Sequence, residues 1–249
     1  MLDEANFGPQ VAARYQEGRQ LPPATMDLWD GLIRAHVMKD STILDAGAGT
    51  GRFIPILKSV SSRLICLDKS IHMLKAIPRR TDSRIYLLEG DATQSPFRNR
   101  TFSHIFASAF IHHVDLNRFF AEANRILNGG GYVLIRGTLA DDLHAHPLHG
   151  LSAAWEIAER AQLPDKEKII RIAQEHGFLL NSSITVMETV AASLADYRKV
   201  VELRSYYSLR TMSVEDYRDL LRAFDERTHA NFGSQEVKVP VTLTTMRKR

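Results

Sequence analysis

Short apolar runs alternate with helical patterns between residues 42 and 137 of this chain. The runs have the length and side-chain types of buried strands, and the segments between them carry apolar residues at helical spacing. The predicted strands lie at 42–45, 63–67, 84–88, 104–107 and 132–136. This alternation of strand and helix predicts βαβ units and a parallel sheet in an α/β fold.

Helical patterns also lie on both sides of the alternating segment. Residues 9–38 predict two helices broken at Pro22 and Pro23, because proline interrupts a helix. Residues 191–230 predict two more, the second opened by a capping box that starts at Ser213. These pieces are candidate lids over the carboxyl ends of the strands, where ligands bind in open α/β sheets.

Two shorter helices and two further strands are predicted. A helix capped by Ser70 should end at Pro78, and a helix over 116–127 should end before the glycines at 129–131. Strand-like alternation at 184–190 and 236–246 would complete the sheet. The fold class expected is therefore α/β, with a Rossmann-like, doubly wound, mostly parallel seven-stranded sheet and added helical lid segments.

The predicted elements fit a single domain over 1–249. It would have a helical cover at 1–40, a core at 41–137 and a remainder at 138–249. That remainder would hold the last strands and a helical lid at about 191–233. The chain has 249 residues, 44% hydrophobic and 24% charged, which is ordinary for a globular protein.

Composition and charge exclude several classes of protein. No stretch approaches the roughly 18 apolar residues needed to span a bilayer, and the acidic start of the chain lacks the pattern of a secretory signal. The single cysteine, Cys66, excludes an internal disulfide and favours the cytoplasm. The net charge of +3 comes from interleaved acids and bases, and the basic run at 247–249 is expected to be a frayed end rather than a nucleic-acid contact.

A glycine-rich turn, in the run LDAGAGTGRF, follows the first strand. Gly47, Gly49 and Gly51 allow a tight turn close to a ligand, and the amide groups at the start of the following helix favour a negative group. Arg52 stands where the dinucleotide pattern G-x-G-x-x-G needs its third glycine, which disfavours a nicotinamide oxidoreductase. Asp45 would repel a pyrophosphate but suits a ligand that carries an ammonium group and hydroxyls.

Further polar residues end the next three strands. Asp68 ends the second strand, where an acidic side chain can accept both ribose hydroxyls. Asp91 follows the third strand, and the fourth runs through Ser108 to the pair His112 and His113. In this order, residues 42–137 resemble the class I S-adenosylmethionine-dependent methyltransferases, in particular the small-molecule (type 11/25-like) family.

The resemblance implies S-adenosyl-L-methionine as the cofactor, with S-adenosyl-L-homocysteine as the product. Asp91 would hold the adenine amino group, and the backbone carbonyls of Ala107 and Ser108 would accept from the methionine ammonium. Arg19, in a Y-x-x-x-R pattern with Tyr15, would pair with the cofactor carboxylate, unless it is a surface arginine at a helix end. The full expected cofactor site is Tyr15, Arg19, Asp45, Gly47, Ala48, Gly49, Gly51, Arg52, Asp68, Lys69, Met73, Asp91, Ala92, Ala107, Ser108 and His113.

Histidines are the candidate catalytic residues. His113 and His112 could act as a general base, because imidazole titrates near neutrality, but either could simply pack against the cofactor or cap a helix. Tyr206 and Tyr207 could line a substrate pocket or belong to the core. A loop with three histidines, at 144, 146 and 149, has the ligand types for zinc, but no metal site is expected.

Two functional classes remain open at this point. The leading hypothesis is an enzyme that transfers methyl to O, N or C of a small metabolite by in-line displacement. The alternative is a protein that binds S-adenosylmethionine without methyl transfer, as a regulator or in another reaction. A nucleic-acid methyltransferase is less favoured, because no Asp/Asn-Pro-Pro-Tyr motif follows the fourth strand. No nucleic-acid or membrane partner is expected. A homodimer is possible, and the sequence does not identify the methyl acceptor.

Overall fold

Seven strands form one sheet in the order β3-β2-β1-β4-β5-β7-β6. The computed structural model describes residues 8–78, 82–204, 206–229 and 235–249, so the acidic start of the chain lies outside the described residues. The strands are β1 Ser41–Ala46, β2 Ser61–Asp68, β3 Ile85–Glu89, β4 Phe102–Ser108, β5 Leu127–Gly137, β6 Phe178–Ala191 and β7 Val237–Lys248. Strands β1 to β5 are parallel, and β7 runs antiparallel to both β5 and β6.

Helices cover both faces of this sheet and its carboxyl edge. They are α1 Pro9–Gly18, α2 Pro23–Arg34, α3 Ile54–Val60, α4 Ile71–Ala76, α5 Leu116–Ile126, α6 Ala153–Gln162, α7 Lys166–Glu175, α8 Leu194–Glu202, α9 Tyr207–Thr211 and α10 Val214–His229. Two 3₁₀ turns, Ile111–His113 and Ala140–Ala145, follow β4 and β5. Among the described residues no helix is long and apolar enough to cross a membrane.

Alternate residues of the central strands face opposite layers, as the two-residue period of a strand requires. Ile43 and Leu64 pack in one layer, against helices α2, α3 and α4. Leu44 and Ile65 pack in the other layer, against α5 and α7. The predicted doubly wound, Rossmann-like fold is therefore confirmed.

A third apolar cluster forms a cover beside the carboxyl edge of the sheet. It combines the 3₁₀ turn after β5 with helices α6, α8, α9 and α10. Its fully or nearly fully buried members include Leu143, Leu148, Trp155, Tyr197, Val201, Leu209, Leu220 and Phe224. The cover has its own core, which fixes its helices to one another above the strand ends.

The C-terminal half differs from the sequence prediction in its helices. Residues 191–230 form three helices in the described part, not two, because the short helix α9 separates α8 from α10. The predicted cap is present, since the Asp216 amide donates to the Ser213 hydroxyl over 3.0 Å. Helices α6 and α7 were not predicted.

Strand ends also differ from the prediction. Strand β5 begins at Leu127, which pairs with Phe102, so the glycines at 129–131 lie inside the strand rather than between helix and strand. The basic run at 247–249 is not frayed. Lys248 belongs to β7, and its ammonium donates to the carbonyls of Asn124 and Leu127 over 2.5 and 3.0 Å.

A buried ion pair ties the sheet to the N-terminal helices. Arg136 of β5 contacts Glu188 of β6 across the intervening strand β7. Trp29 of α2 donates its indole N–H to the same carboxylate over 2.6 Å, and its ring centroid lies 4.4 Å from the Arg136 guanidinium carbon. One charged pair therefore joins two strands and a helix.

We expect Glu188→Ala to lower the free energy of unfolding by about 3–5 kcal/mol, because it leaves the Arg136 charge buried without its partner. Urea unfolding measures the change. The control is Glu175→Ala, which removes an exposed pair with Arg171 and should change the value by no more than about 0.5 kcal/mol. Equal effects of the two variants would show that the buried pair does not stabilise the fold.

Candidate functional site

A cavity of about 150 Å³ lies where strands β1 to β4 end, and we call it the glycine-loop cavity. It is lined by Tyr15, Gly47, Gly49, Leu67, Asp68, Lys69, Met73, Gly90, Asp91, Ala92, Ala109, Phe110, His113 and Val114. Parallel pairing of β1, β2 and β3 brings the polar residues at their ends to one edge. The cavity therefore combines apolar walls with carboxylates at its rim.

Glycine is favoured at Gly47 and Gly49 of this loop for different structural reasons, namely close packing at the first and an open approach at the second. Gly47 has φ +70°, and a Cβ there would lie 2.1 Å from the Phe110 ring, so packing alone requires glycine. Gly49 has φ +55°, but its nearest neighbour would be the Tyr15 ring at 3.9 Å. At position 49 the backbone therefore borders open cavity, as expected of a loop that approaches a ligand.

The amide groups of this loop are used inside the protein. The amides of Gly47 and Ala48 donate to the Leu67 carbonyl over 2.8 and 3.1 Å, and the Gly49 amide donates to the Asp68 carboxylate over 2.8 Å. These three amides are therefore already bonded within the protein, and the expectation that the amides at the start of α3 favour a negative group stays a prediction. The groups near this loop that could attract a ligand are the acidic side chains at the ends of β1 and β2, Asp45 and Asp68.

Two of these acids favour a positive ligand. Asp45 is 3% exposed, and burial together with the charge of Asp68 raises its pKa to about 7. Burial also raises the pKa of Asp68, although the amides of Ser70 and Gly49 donate to it. No cation neutralises Asp45 among the described residues, so a cationic group nearby would relieve the repulsion between the two carboxylates.

Asp91 has its own partners within the cavity rim. Its carboxylate pairs with the Lys69 ammonium over 2.8 Å and accepts from the amide and hydroxyl of Thr93 over 2.7 Å each. Burial opposes ionisation, but these hydrogen bonds lower the pKa of Asp91 below its usual value. Asp91 is thus an ionised acceptor beside the apolar wall.

A second cavity of about 80 Å³ adjoins the first, and we call it the arginine cavity. It is lined by Tyr15, Arg19, Ala109, His112, His113, Thr138, Leu143, His146, Glu159, Gln162, Leu163, Tyr206, Tyr207 and Arg210. Three residues line both cavities, namely Tyr15, Ala109 and His113. We call these three the junction. The second cavity lies between the strand ends and the helical cover.

Guanidinium groups gather on this side of the junction. Burial lowers the pKa of Arg52 to about 10, helped by the charges of Arg19 and Arg136. Burial also lowers the pKa of Arg136 despite its partner Glu188. The pKa of Arg19 is raised, because Tyr15, Tyr206 and Glu188 outweigh burial. Arg19 lies 4.5 Å from the Tyr206 ring centroid.

The histidines of the second cavity are neutral near pH 7. Burial and the charges of Arg210 and Arg19 lower the pKa of His113 to about 4. Burial with His113 and Arg19 lowers the pKa of His112 well below its usual value, and burial lowers that of His146 to about 3. The general-base role of His112 and His113 stays a prediction. The lowered pKa values of both histidines disfavour it, because a general base works best with a pKa near the working pH.

The structure brings most of the predicted cofactor residues together. Tyr15, Gly47, Gly49, Asp68, Lys69, Met73, Asp91, Ala92 and His113 line the glycine-loop cavity. Arg19 instead lines the arginine cavity. The predicted residues outside both linings are Asp45, Ala48, Gly51, Arg52, Ala107 and Ser108.

The residues outside the linings have other contacts. A Cβ at Gly51 would lie 2.6 Å from Ile54, so this glycine permits packing of α3. Ala107 is buried in β4, and the Ser108 hydroxyl accepts from Arg136 over 3.2 Å. Asp45 lies buried behind the rim and acts on it through its charge.

The sequence analysis missed several lining residues. Ala109 has φ +50°, which is unusual for a residue other than glycine, and this conformation turns the chain between the cavities. Glu159 and Arg210 come from cover helices that no local motif marks. Tyr206 and Tyr207, considered as pocket residues, do line the arginine cavity.

The three-histidine loop shows no metal-site geometry. His146 is buried, with its ring centroid 4.7 Å from that of Trp155, and His144 contacts the Asp141 carbonyl. Within the described ranges, no group of three or more histidine, cysteine or acidic residues is placed to hold a metal ion.

Comparison with known proteins gives the family of the core. Residues 44–135 match the family model described as "Methyltransferase domain". This segment is similar to the methyltransferase domains that the model describes. The match covers the predicted core, and it confirms the resemblance to small-molecule class I methyltransferases for that segment.

A curated relative resembles part of this chain in sequence. The malonyl-[acyl-carrier protein] O-methyltransferase of Hamiltonella defensa is 32% identical over 120 residues, which is 48% of this chain and 44% of that protein. The chain thus matches less than half the length of this curated relative.

The structural matches are longer but more distant in sequence. Geranyl diphosphate C-methyltransferase from Streptomyces coelicolor, solved with S-adenosyl-L-homocysteine, gives a TM-score of 0.57 at 16% identity and covers 90% of this chain and 79% of its own. Phosphoethanolamine N-methyltransferase 2 from Haemonchus contortus, also solved with S-adenosylhomocysteine, gives 0.55 at 20% identity over 88% and 51%. At these identities the matches show the fold.

The raised pKa of Asp45 predicts a pH dependence of stability. A folded-state pKa of about 7 against 3.8 means that the folded state binds this proton more tightly, so stability from this group is full below pH 4 and is lost as pH rises through 7. Asp45→Asn removes this loss. We expect the stability of the variant relative to the wild type to rise by about 3 kcal/mol between pH 5 and pH 8, because the wild type has already lost part of this contribution below pH 5.

Urea unfolding of both proteins at pH 5, 6, 7 and 8 measures this difference. Asp219→Asn, at an exposed position of α10, is the matched control and should follow the wild type. Parallel curves for wild type and Asp45→Asn would contradict the assignment of a buried, uncompensated carboxyl.

Proposed function

We propose that this protein transfers a methyl group from S-adenosyl-L-methionine to O, N or C of a small molecule by in-line displacement. The observation that carries this proposal is the meeting of two cavities at Tyr15, Ala109 and His113. The glycine-loop cavity would take the methyl donor and the arginine cavity the acceptor. Only at the junction could the two reacting groups face each other.

The charges of the site fit a zwitterionic donor. The donor carries an ammonium and a sulfonium, which suit the side of Asp45 and Asp68, where two carboxyls have raised pKa values. It also carries a carboxylate, which suits Arg19, whose buried Nε has no hydrogen-bond partner among the residues that the structure describes. The predicted pairing of Arg19 with the cofactor carboxylate is kept as part of the proposal.

The adenosine would lie along the apolar wall of the same cavity. Leu67, Met73, Ala92 and Val114 offer flat apolar contacts, and Asp91 offers an ionised acceptor for an amino group. Asp68 lies beside Gly49, where a Cβ would have only the Tyr15 ring, at 3.9 Å, within 4 Å. At this position Asp68 would accept from the ribose hydroxyls, a role that stays a prediction.

The chain's own residues mainly orient and enclose the reactants. The bound donor supplies a methyl group made electrophilic by the sulfonium. Tyr15 lines both cavities and residues of the cover helices line the arginine cavity, so with both reactants bound they would limit the access of water to the reacting atoms. Holding two reactants in line at such a junction supplies much of the rate without proton transfer.

The competing proposal is a protein that binds the cofactor and transfers no methyl. The presence of a second cavity at the junction favours transfer, because a binding protein does not need an acceptor site. Binding of S-adenosyl-L-homocysteine without turnover on any acceptor would instead favour the competing proposal.

Three further expectations belong to this proposal. The buried Cys66 fits a cytoplasmic location. Residues 1–40 would form a helical cover and 191–233 a helical lid of one domain whose core is 41–137, with 1–7, 205 and 230–233 outside the described residues. A homodimer is a further expectation, which gel filtration with light scattering would test.

We expect Asp68→Ala to weaken S-adenosyl-L-homocysteine binding by about 1–3 kcal/mol, roughly five- to 150-fold, through loss of hydrogen bonds to a charged group. Isothermal titration calorimetry measures the affinity. Asp219→Ala, at an exposed position of α10, should bind like the wild type. Unchanged affinity in Asp68→Ala would remove this carboxylate from the donor site.

A further inference from the structure

Glu159 is the one acidic residue in the lining of the arginine cavity given above. Its Oε1 accepts a hydrogen bond of 2.5 Å from the hydroxyl of Ser208, a buried residue of α9. The second oxygen, Oε2, has no hydrogen-bond partner among the residues that the structure describes. One carboxyl oxygen is therefore held by the protein, and the other is available to a group inside the cavity.

Contacts of helix α6 with the cover fix the position of Glu159. Ser152 caps this helix by accepting from the Trp155 amide over 3.2 Å. The buried Trp155 ring stacks on the ring of His146, with 4.7 Å between the centroids, and His146 also lines the cavity. Residues 155 and 159 lie one turn apart and share a face of the helix. The carboxyl group is thus presented to the cavity by an anchored element.

Charged and titratable groups around Glu159 act on it in both directions. Burial raises the pKa of Glu159, and the Ser208 hydrogen bond with the charge of Arg19 only partly offsets this effect. The charge of Glu159 in turn contributes to the raised pKa of Tyr197, after burial and Tyr206. A raised pKa brings a carboxyl group closer to the working pH, where a general base is most effective.

The histidines of the same lining are poorer bases. Burial lowers the pKa of His113 to about 4, that of His146 to about 3 and that of His112 well below its usual value. Compared with these three side chains, the carboxyl group of Glu159 is the better acceptor for a proton that leaves an acceptor molecule.

A phenol is the acceptor that fits this carboxyl group and its surroundings. A neutral hydroxyl can donate to Oε2, whereas a carboxylate would be repelled by Glu159 and an ammonium would bring a second positive charge beside the sulfonium of the donor. The rings of Tyr206 and Tyr207 also line the cavity. Aromatic side chains favour stacked or edge-to-face contact with another ring.

We infer that the arginine cavity takes a small phenol and that Glu159 is the base that accepts its hydroxyl proton. This inference rests on the proposed function. The phenol oxygen forms a bond to the methyl carbon as the bond from that carbon to sulfur breaks, and the electron pair of the broken bond stays on sulfur. The hydroxyl proton passes to Oε2 of Glu159 and then to solvent. The products are a methyl ether and S-adenosyl-L-homocysteine.

Label transfer by the wild type tests the acceptor class, and folding of a variant plays no part in it. The protein is incubated with methyl-tritiated S-adenosyl-L-methionine and, in turn, phenol, 4-methylphenol, 4-nitrophenol, aniline and benzoate. Labelled methyl ethers of the phenols support the inference. Label confined to aniline or benzoate overturns it and leaves the proposed function standing.

Calorimetry with S-adenosyl-L-homocysteine separates failure of the inference from failure of the proposed function. If this product binds and none of the five compounds receives label, the inference is overturned and the competing proposal of binding without transfer is favoured. If the product does not bind, the proposed function itself is contradicted.

Glu159→Gln tests the base, because it keeps the size of the side chain and removes its basicity. We expect kcat/KM for phenol to fall at least about hundredfold, since a general base typically contributes about 10²–10⁴-fold. The more acidic 4-nitrophenol is largely ionised at pH 8 and needs no base, so its loss should be less than about fivefold. Glu159→Asp should keep more activity toward phenol than Glu159→Gln.

Matched variants complete this test. Glu175→Gln, at an exposed position of α7, should behave like the wild type with both phenols. Ser208→Ala removes the hydrogen bond that holds Oε1 and should lower kcat/KM for phenol by about five- to tenfold. S-adenosyl-L-homocysteine affinity should be unchanged in every variant. If Glu159→Gln loses activity equally toward phenol and 4-nitrophenol, or loses none, Glu159 is not the base and the inference is wrong.

Discussion

Opposite charges are kept apart at one edge of the sheet, and the architecture of the site depends on this separation. Parallel pairing places the ends of β1 and β2 side by side, so Asp45 and Asp68 repel each other. Guanidinium groups lie beyond the junction, with Glu188 pairing one of them. Each side alone is unfavourable, and a zwitterion placed between them would stabilise both.

Buried contacts around the site offset the repulsion between these like charges. The Arg136–Glu188 pair, with the indole N–H of Trp29, fixes β5, β6 and α2 in one arrangement. Arg136 also donates to the Ser108 hydroxyl at the end of β4. The ion pair thus connects β6, at the edge of the sheet, to β4, which leads into the junction. Arg136 therefore contributes both to the stability of the fold and to the position of the strand end at the site.

The core could be predicted from sequence because its signals are local. A strand followed by glycines, or by Asp68 or Asp91, is visible in a few consecutive residues, and parallel topology then brings these ends together. The left-handed backbone of Ala109 carries no such signal, since alanine rarely adopts it. The cover was predicted less well, because helices α6 and α9 depend on the packing of their own residues Trp155 and Leu209 into the core of the cover rather than on a local pattern.

The same distinction explains why similarity to known proteins is strongest in residues 44–135. That segment builds the donor side, whose ligand would be shared by enzymes with different acceptors, and the two structural matches indeed act on geranyl diphosphate carbon and on a phosphoethanolamine nitrogen. The arginine cavity, which would hold the acceptor in the proposed function, is lined by residues from distant segments, among them His112, Glu159 and Arg210. Because these residues lie on separate helices and loops, each can change without disturbing the strand ends. In the proposed function, acceptor specificity would therefore reside in the residues that line the arginine cavity, and a change of acceptor would require new side chains there beside an unaltered donor cavity.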